Sequence, residues 1–291
     1  MDLDFSFDSV ISSERLGIQA LPVLERAIEH SDPDVRRAAV RVASVLRHCA
    51  LHIVERAITD PDGSVRADVV GFAGLLGEHA LQVAERGLAH SDPEVRRDAM
   101  RVAWSSGHPL ALPLVECALA DSDSRVRAEA VRAAGQIGAP ALPLIGRALE
   151  DSNLGVRLAA VRAAGQIGAP ALPLIERALA DTDSDVRAEA VRAAGQIGKP
   201  ALHLIERGLE DDSVYVRLSS VYAGREVRSL RTLKRAMNDE SASVRAAAVL
   251  AAGYVGRRAR AIVDRALKDS DPDVRKNARY VASRFAQRAA R

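Results

Sequence analysis

The chain has 291 residues, a formal net charge of +2 and only 3% aromatic residues, so burial must come from small and branched side chains at close helix spacing, and stacking platforms are few. Its two cysteines, Cys49 and Cys117, lack the paired spacing of a disulfide framework. The acidic start MDLDFSFDSV lacks a signal peptide's basic and apolar segments, and no run approaches the ~18 apolar residues of a membrane span. These features predict a soluble cytoplasmic protein in a reducing compartment, without a membrane partner.

A Val-Arg pair sets the register in chain order: Val35-Arg36, Val65-Arg66, Val95-Arg96, Val126-Arg127, Val156-Arg157, Val186-Arg187, Val216-Arg217, Val244-Arg245 and Val274-Arg275. Almost every interval is 30 residues; the repeat from His90 to Ala120 is one longer and that from Asp211 to Asn238 two shorter. Residues 1–29 read as a worn first repeat, with Phe5 and Ser6 in the Val and Arg positions. Residues 30–268 are regular repeats, and residues 269–291 supply a terminal capping helix without a second. A fixed period of this kind marks a solenoid, in which each repeat buries its apolar face only against its neighbours.

Within a repeat, Ser-Asp-Pro or Ser-Asp-Ser before Val-Arg predicts a helix start: the short polar side chain caps free N–H groups, and Pro fits the first turn. The first helix runs to a glycine such as Gly138, Gly168 or Gly198. On a helical wheel Val126, Ala130, Ala133, Ala134 and Ile137 share one face, with Glu129, Arg132 and Gln136 opposite. Ala-Pro then restarts the chain, and a second helix from Ala141 to Leu149 buries Leu142, Leu144, Ile145, Ala148 and Leu149. Arg127 and its equivalents fall at the contact between repeats, where a charge must be paired. The capping residues Asp32, Asp62, Asp92, Asp123, Asp183 and Asp271 are the expected partners, with weaker links where Asn153, Ser213 and Ser241 replace them.

The D-x-x-V-R…A…A-x-x-G pattern, with a second helix opening at Pro, resembles the HEAT-like repeats of phycobilin lyases over essentially the whole chain. The resemblance implies an all-α, right-handed α-solenoid of about ten two-helix repeats, with the second helices lining the concave side. It does not choose a function, because such repeats occur in scaffolds, cofactor lyases, a hydroxylase and DNA glycosylases.

The second helices carry two charged columns, in which Glu55, Glu85, Glu176, Glu206 and Lys234 precede Arg56, Arg86, Cys117, Arg147, Arg177, Arg207 and Arg235. If those helices line a groove, the columns form a mixed-charge surface for a protein or peptide. Its charges lapse at Cys117 and Gly146, where an inserted apolar side chain is expected. Residues 211–291 hold 18 basic against 9 acidic residues, which favours an acidic partner segment at this end. Arg225, Arg228, Arg231, Lys234 and Arg235 follow one another at helical spacing, with Arg257, Arg258 and Arg260 in the next repeat. All four tyrosines, Tyr215, Tyr222, Tyr254 and Tyr280, lie at the same end. Basic residues among aromatics raise nucleic-acid binding or glycosylase-like DNA repair as the alternative function. A cofactor-lyase-type chaperone is a further alternative. Trp104, at a site held by Gly or Ser in most repeats, is either local packing or an anchor for a partner, as is Tyr222. His48, His79 and His108 share a turn register beside Cys49, but repeats ~8–10 Å apart do not close metal ligands at ~2.0–2.3 Å. The expectation is a scaffold without catalytic residues, metal or cofactor.

Overall fold

Asp32 opens the first regular repeat: its carboxylate accepts from the Asp34 N–H, and Pro33 fills the first helical position, where no intrahelical N–H bond is available. Asp62, Asp92, Asp123, Asp183 and Asp271 cap in the same way, as does the Asn153 side-chain oxygen. Most of the first helices whose ends are described stop where the backbone turns to positive φ. Gly138, Gly168, Gly198 and Gly256 stand there at φ 85–91°. Pro then opens several of the second helices.

The computed structural model describes residues 6–105 and 111–287, and among these every regular element is helical. The chain forms two compact units, residues 1–144 and 145–291. The first contains α1 (Phe7–Ser12), α2 (Leu21–Ala27), α3 (Pro33–Leu46), α4 (Leu51–Ala57), α5 (Gly63–Leu76), α6 (His79–Leu88), α7 (Pro93–Ser105), α8 (Leu112–Ala118) and α9 (Ser124–Ile137). The unit boundary falls inside α10 (Leu142–Ala148). The second unit continues with α11 (Leu154–Ile167), α12 (Leu172–Ala178), α13 (Ser184–Ile197), α14 (Leu202–Arg207), α15 (Val214–Glu226), α16 (Leu230–Ala236), α17 (Ala242–Val255), α18 (Arg260–Ala266) and α19 (Pro272–Gln287).

From α3 onward the odd-numbered helices are first helices and the even-numbered ones second. In the first unit α3, α5, α7 and α9 pack in series, and in the second α11, α13, α15, α17 and α19 do the same. Each unit is thus an α-solenoid of helical hairpins. The core is one strip of Val, Ala, Ile and Leu per unit, from Val35, Ala39 and Ala43 in the first to Val244, Ala248 and Val274 in the second, all at most 2% exposed. Small residues set the helix spacing. A Cβ on Gly165 would stand 2.9 Å from the Ala193 Cβ, so any larger residue there would push α11 off α13.

The first repeat departs from its expected register. Ser6 caps α1, accepting from the Ser9 N–H while the Ser9 hydroxyl oxygen accepts from the Ser6 N–H, so it does not stand in an arginine position; Phe5 lies outside the described residues. The shortened repeat has a local explanation. The 3₁₀ turn that links other hairpins, as at Ala139–Ala141, is missing between α15 and α16. Arg228 turns the chain at φ 53°, and the Ser229 hydroxyl caps α16 through the Thr232 N–H.

The predicted ladder of buried ion pairs is present, but its carboxylate is not the capping one. Arg36 donates through Nε and Nη2 to both oxygens of Asp60, at 2.8 and 2.9 Å, and through Nη1 to the carbonyls of His30 and Ser31. Asp60 stands two residues before the cap Asp62 and also accepts from the Asp62 N–H. The same rung recurs as Arg96–Asp121, Arg157–Asp181, Arg187–Asp211, Arg217–Asp239 and Arg245–Asp269 at 2.7–2.9 Å. Full rungs end just ahead of Ser213 and Ser241, so the weak links expected there do not exist. Both aspartates accept from the N–H two residues on, but the capping one does so at its own helix start, whereas the one before it lies beside the guanidinium of the preceding repeat.

One rung is built differently. His90 occupies the aspartate position, where its Nδ1 accepts from the Asp92 N–H but an imidazole supplies no carboxylate for Arg66. Arg66 turns instead to Asp98 on α7, at 2.9 Å, and both residues are buried.

Candidate partner-binding face

The second helices are short, and after their apolar residues meet the first helices, the Glu and Arg columns remain outward. In the first unit Arg56 reaches back to Glu29 at 2.6 Å, and the His52 Nε2 lies 3.4 Å from Glu25. Glu55, Glu85 and Arg86 make no ion pair among the described residues. In the second unit Arg177 pairs with Glu150 at 3.5 Å, Arg207 with Glu176 at 3.5 Å, and Arg235 with Glu210 at 2.5 Å. Arg147 is exposed and partnered. Several arginines of the column therefore pair with a carboxylate of the preceding repeat, while Glu55, Glu85 and Arg86 remain outside these pairs.

Several sequence-based expectations need correction here. Gly146 is no apolar slot: it is buried, its carbonyl accepts a hydrogen bond from Arg177, and Leu174 lies 3.4 Å from where a Cβ would be. Cys117 is exposed. Glu206 does not stand out from the face but is 6% exposed, with Arg231 at 3.3 Å and Arg235 at 3.6 Å closing over it. Glu129 is also buried, not opposite the core. It accepts from the Trp104 Nε1 at 3.3 Å and from Arg132, so half-buried Trp104 is tied to the next first helix rather than free as an anchor.

The basic residues at the C-terminal end do not form one helical row. Arg225 lies on α15, Arg228 in the turn after it, and Arg231, Lys234 and Arg235 on α16. Arg257 and Arg258 belong to a 3₁₀ turn and Arg260 opens α18; all three are exposed. The Arg225 guanidinium lies 5.8 Å from the ring centre of Tyr222 and 4.9 Å from that of Tyr254, forming a first-helix cluster of cation and rings. The second-helix cations instead border a groove of about 530 Å³ between α16 and α18. Arg231, Lys234, Arg235 and Arg265 rim it, and Met237 and Ile262 lie at its floor. The sequence reading left out Asn238, which also lines this groove; its signal was the loss of a carboxylate at the position of Glu150 and Glu210.

His48 and His79 come together with ring centres 6.4 Å apart, and the Cys49 Sγ lies 3.3 Å from the His48 Nε2, whereas His108 is outside the described residues. Among the described residues no three His, Cys, Asp or Glu side chains converge on a metal position. None of the helices described is long and apolar enough to cross a membrane.

Charge perturbation concentrates on the buried ladder. The hydrogen bonds from Arg96 and Arg245 hold the carboxyls of Asp121 and Asp269 below their ordinary range, despite partial burial. At the cap of α9, the Arg125 side chain and then its N–H pull Asp123 down to about 2.

Stacked helical hairpins with an outward charged face define an α-solenoid repeat protein. The family of HEAT repeats matches residues 79–154, 111–187 and 142–224, together half of the chain, and the protein belongs to that family. No curated protein matches the chain. Among solved structures it is similar to the karyopherin Kap121p bound to the extreme C-terminus of the protein phosphatase Cdc14p (12% identity, TM-score 0.61, 92% of this chain against 38% of that one). Yeast importin-beta, Kap95p, is similar at 14% identity and TM-score 0.58, over 92% of this chain and 45% of that one. YibA of E. coli follows at 18% identity and TM-score 0.52, over 85% and 95%. The chain thus spans less than half of either karyopherin, and at these identities the likeness concerns fold.

Proposed function

We propose that the protein is a non-catalytic scaffold or adaptor, working in the cytoplasm, that holds a partner protein or peptide along its second-helix face, with an acidic segment favoured at the C-terminal end. One observation carries this reading: the second-helix arginines Arg56, Arg177, Arg207 and Arg235 recur with the repeat and each pairs with an exposed carboxylate, although Arg235 also lies 3.6 Å from the buried Glu206. Such pairs are worth little in water, so a ligand can displace them at small cost. Kap121p, built on the same fold, is bound to the end of another protein's chain. The segment from residue 211 onward, with 18 basic and 9 acidic residues, favours acidic partners.

A nucleic-acid reading requires stacking rings beside phosphate-neutralising cations. Such an arrangement exists at Arg225, beside Tyr222 and Tyr254 on first helices, whereas Lys234, Arg235 and Arg265 lie on second helices. The test is affinity purification from the native source with the wild-type chain and with Arg177→Glu, Arg207→Glu and Arg235→Glu combined. Loss of the recovered partners supports the scaffold, and undiminished recovery removes this face as the binding surface. Titrating duplex and single-stranded DNA at two salt concentrations checks the alternative, since phosphate contacts make affinity fall steeply with salt.

A further inference from the structure

Four second-helix arginines, Arg56, Arg177, Arg207 and Arg235, follow one pairing rule, which Arg86 does not use although Glu55 stands 31 residues before it. Arg56 reaches a carboxylate 27 residues earlier, Glu29, at the end of the preceding second helix, and Arg177 and Arg235 take Glu150 and Glu210 at the same structural position. Arg207 finds Ala180 there and falls back on Glu176, 31 residues earlier. Arg265 has the same two choices and finds no anion at either. The first is Asn238, whose Oδ1 accepts from the Arg265 Nη2 at 2.5 Å, and the second is Lys234.

The missing anion changes the local balance. Lys234 has no ion pair or hydrogen bond to any described residue, and no carboxylate lines the groove it shares with Arg231, Arg235 and Arg265; Asp239, Asp264 and Asp269 line the adjoining cleft on the far side of Arg265, and none of them pairs with it. Arg231 and Arg235 share the buried carboxylate of Glu206, and Arg235 also holds Glu210. Arg265 and Lys234 are left as adjacent cations on exposed surface, a position that repels like charge and attracts an external anion. The planar guanidinium fork suits a carboxylate, which is what fills this place in the other repeats. Met237 and Ile262 at the floor suit an aliphatic side chain beside it.

We infer that the groove between α16 and α18 binds a glutamate or aspartate side chain of an acidic, leucine-containing segment of a partner protein, whose carboxylate completes the pair Arg265 lacks. This inference rests on the scaffold reading and assigns it a specific subsite.

The test uses the full chain and a short fluorescein-labelled peptide of glutamate and leucine, followed by fluorescence anisotropy at low salt. Saturable binding is expected, absent for the same peptide with glutamine in place of glutamate. Lys234→Glu combined with Asn238→Glu supplies Arg265 with carboxylates of its own. These positions are exposed, so the fold is retained, as circular dichroism will check, and affinity is expected to fall about tenfold or more. Asn238→Gln, which adds no charge, is expected to leave affinity unchanged. No binding by the wild-type chain, or equal binding by the double variant, overturns the inference. So does binding of a single-stranded oligonucleotide without binding of the peptide, which would mark a phosphate site. If the inference fails while Arg177→Glu with Arg207→Glu still abolishes partner recovery, the scaffold stands without this subsite. If recovery also persists, both fail.

Discussion

The arginines that open the first helices and those near the ends of the second helices recur with the same period, yet their surroundings differ. In the first set, Arg36, Arg66, Arg96, Arg157, Arg187, Arg217 and Arg245 have side chains 7–17% exposed, and each meets a carboxylate that is 6–12% exposed. In the second, Arg56, Arg177, Arg207 and Arg235 are 39–55% exposed, against carboxylates at 58–75%. Burial decides what an ion pair does. Removing one member of a buried pair strands the other charge in low dielectric, whereas removing one member of an exposed pair returns the other to water. The first row therefore holds the repeats together, and the second is free to exchange partners.

The sharpest way to break this contrast is at the irregular rung. Asp98→Ala leaves Arg66 buried without a carboxylate, because His90 has replaced the aspartate other rungs use. A loss of about 3 kcal/mol is expected in denaturant unfolding. His90→Asp in the same background should recover much of it, since an aspartate there can accept from the Asp92 N–H, as Asp60 does from Asp62, and reach Arg66. A small loss for Asp98→Ala, or no rescue, would show that the buried row is not what binds these repeats.

Acid probes the same row as a whole. Asp121 and Asp269 titrate below the unfolded value of about 3.9, so they bind fewer protons folded than unfolded. Their contribution is complete above that value and is lost as pH falls through their folded pKa values. Unfolding midpoints should be flat from about pH 7 to 5 and fall below about pH 4; a midpoint unchanged to pH 2.5 would contradict the ladder. A smaller effect is expected at Arg47, which stands at φ 52°, ψ −126° where Gly77 and other first helices use glycine. Arg47→Gly relieves that strain and should stabilise by about 1 kcal/mol, less the unfolded-state entropy of glycine.

The sequence disclosed the hairpins because capping aspartates, terminal glycines and apolar spacing are local signals that repeat. It also disclosed that Arg127 and its equivalents must be paired. It did not disclose the partner, because both Asp121 and Asp123 lie within reach along the chain, and only the fold shows that Asp123 accepts from the Arg125 N–H at its own helix start while Asp121 meets Arg96. Glu206 and Glu129 were misplaced for a related reason. A wheel treats each helix as isolated, whereas Arg231 and Trp104 from neighbouring repeats cover these carboxylates. The charge reversal at Lys234 was visible in the column, but its meaning required knowing that Arg265 looks back to residues 234 and 238.

The smallest expected effect is the one that sharpens the comparison most. Arg207→Ala removes an exposed partner of Glu176 at 3.5 Å, on the same chain segment as the buried Arg217–Asp239 pair at 2.9 Å. Glu176 is 58% exposed and returns to solvent without penalty, so stability should change by no more than about 0.5 kcal/mol. Arg217→Ala should cost several times as much, because Asp239 is left 6% exposed. If the two variants lose equal stability, the second-helix pairs are structural, their arginines are not free for a ligand, and the case for that face as the binding surface weakens. If Arg207→Ala keeps its stability but loses recovered partners, the exposed row has been separated from the fold it decorates.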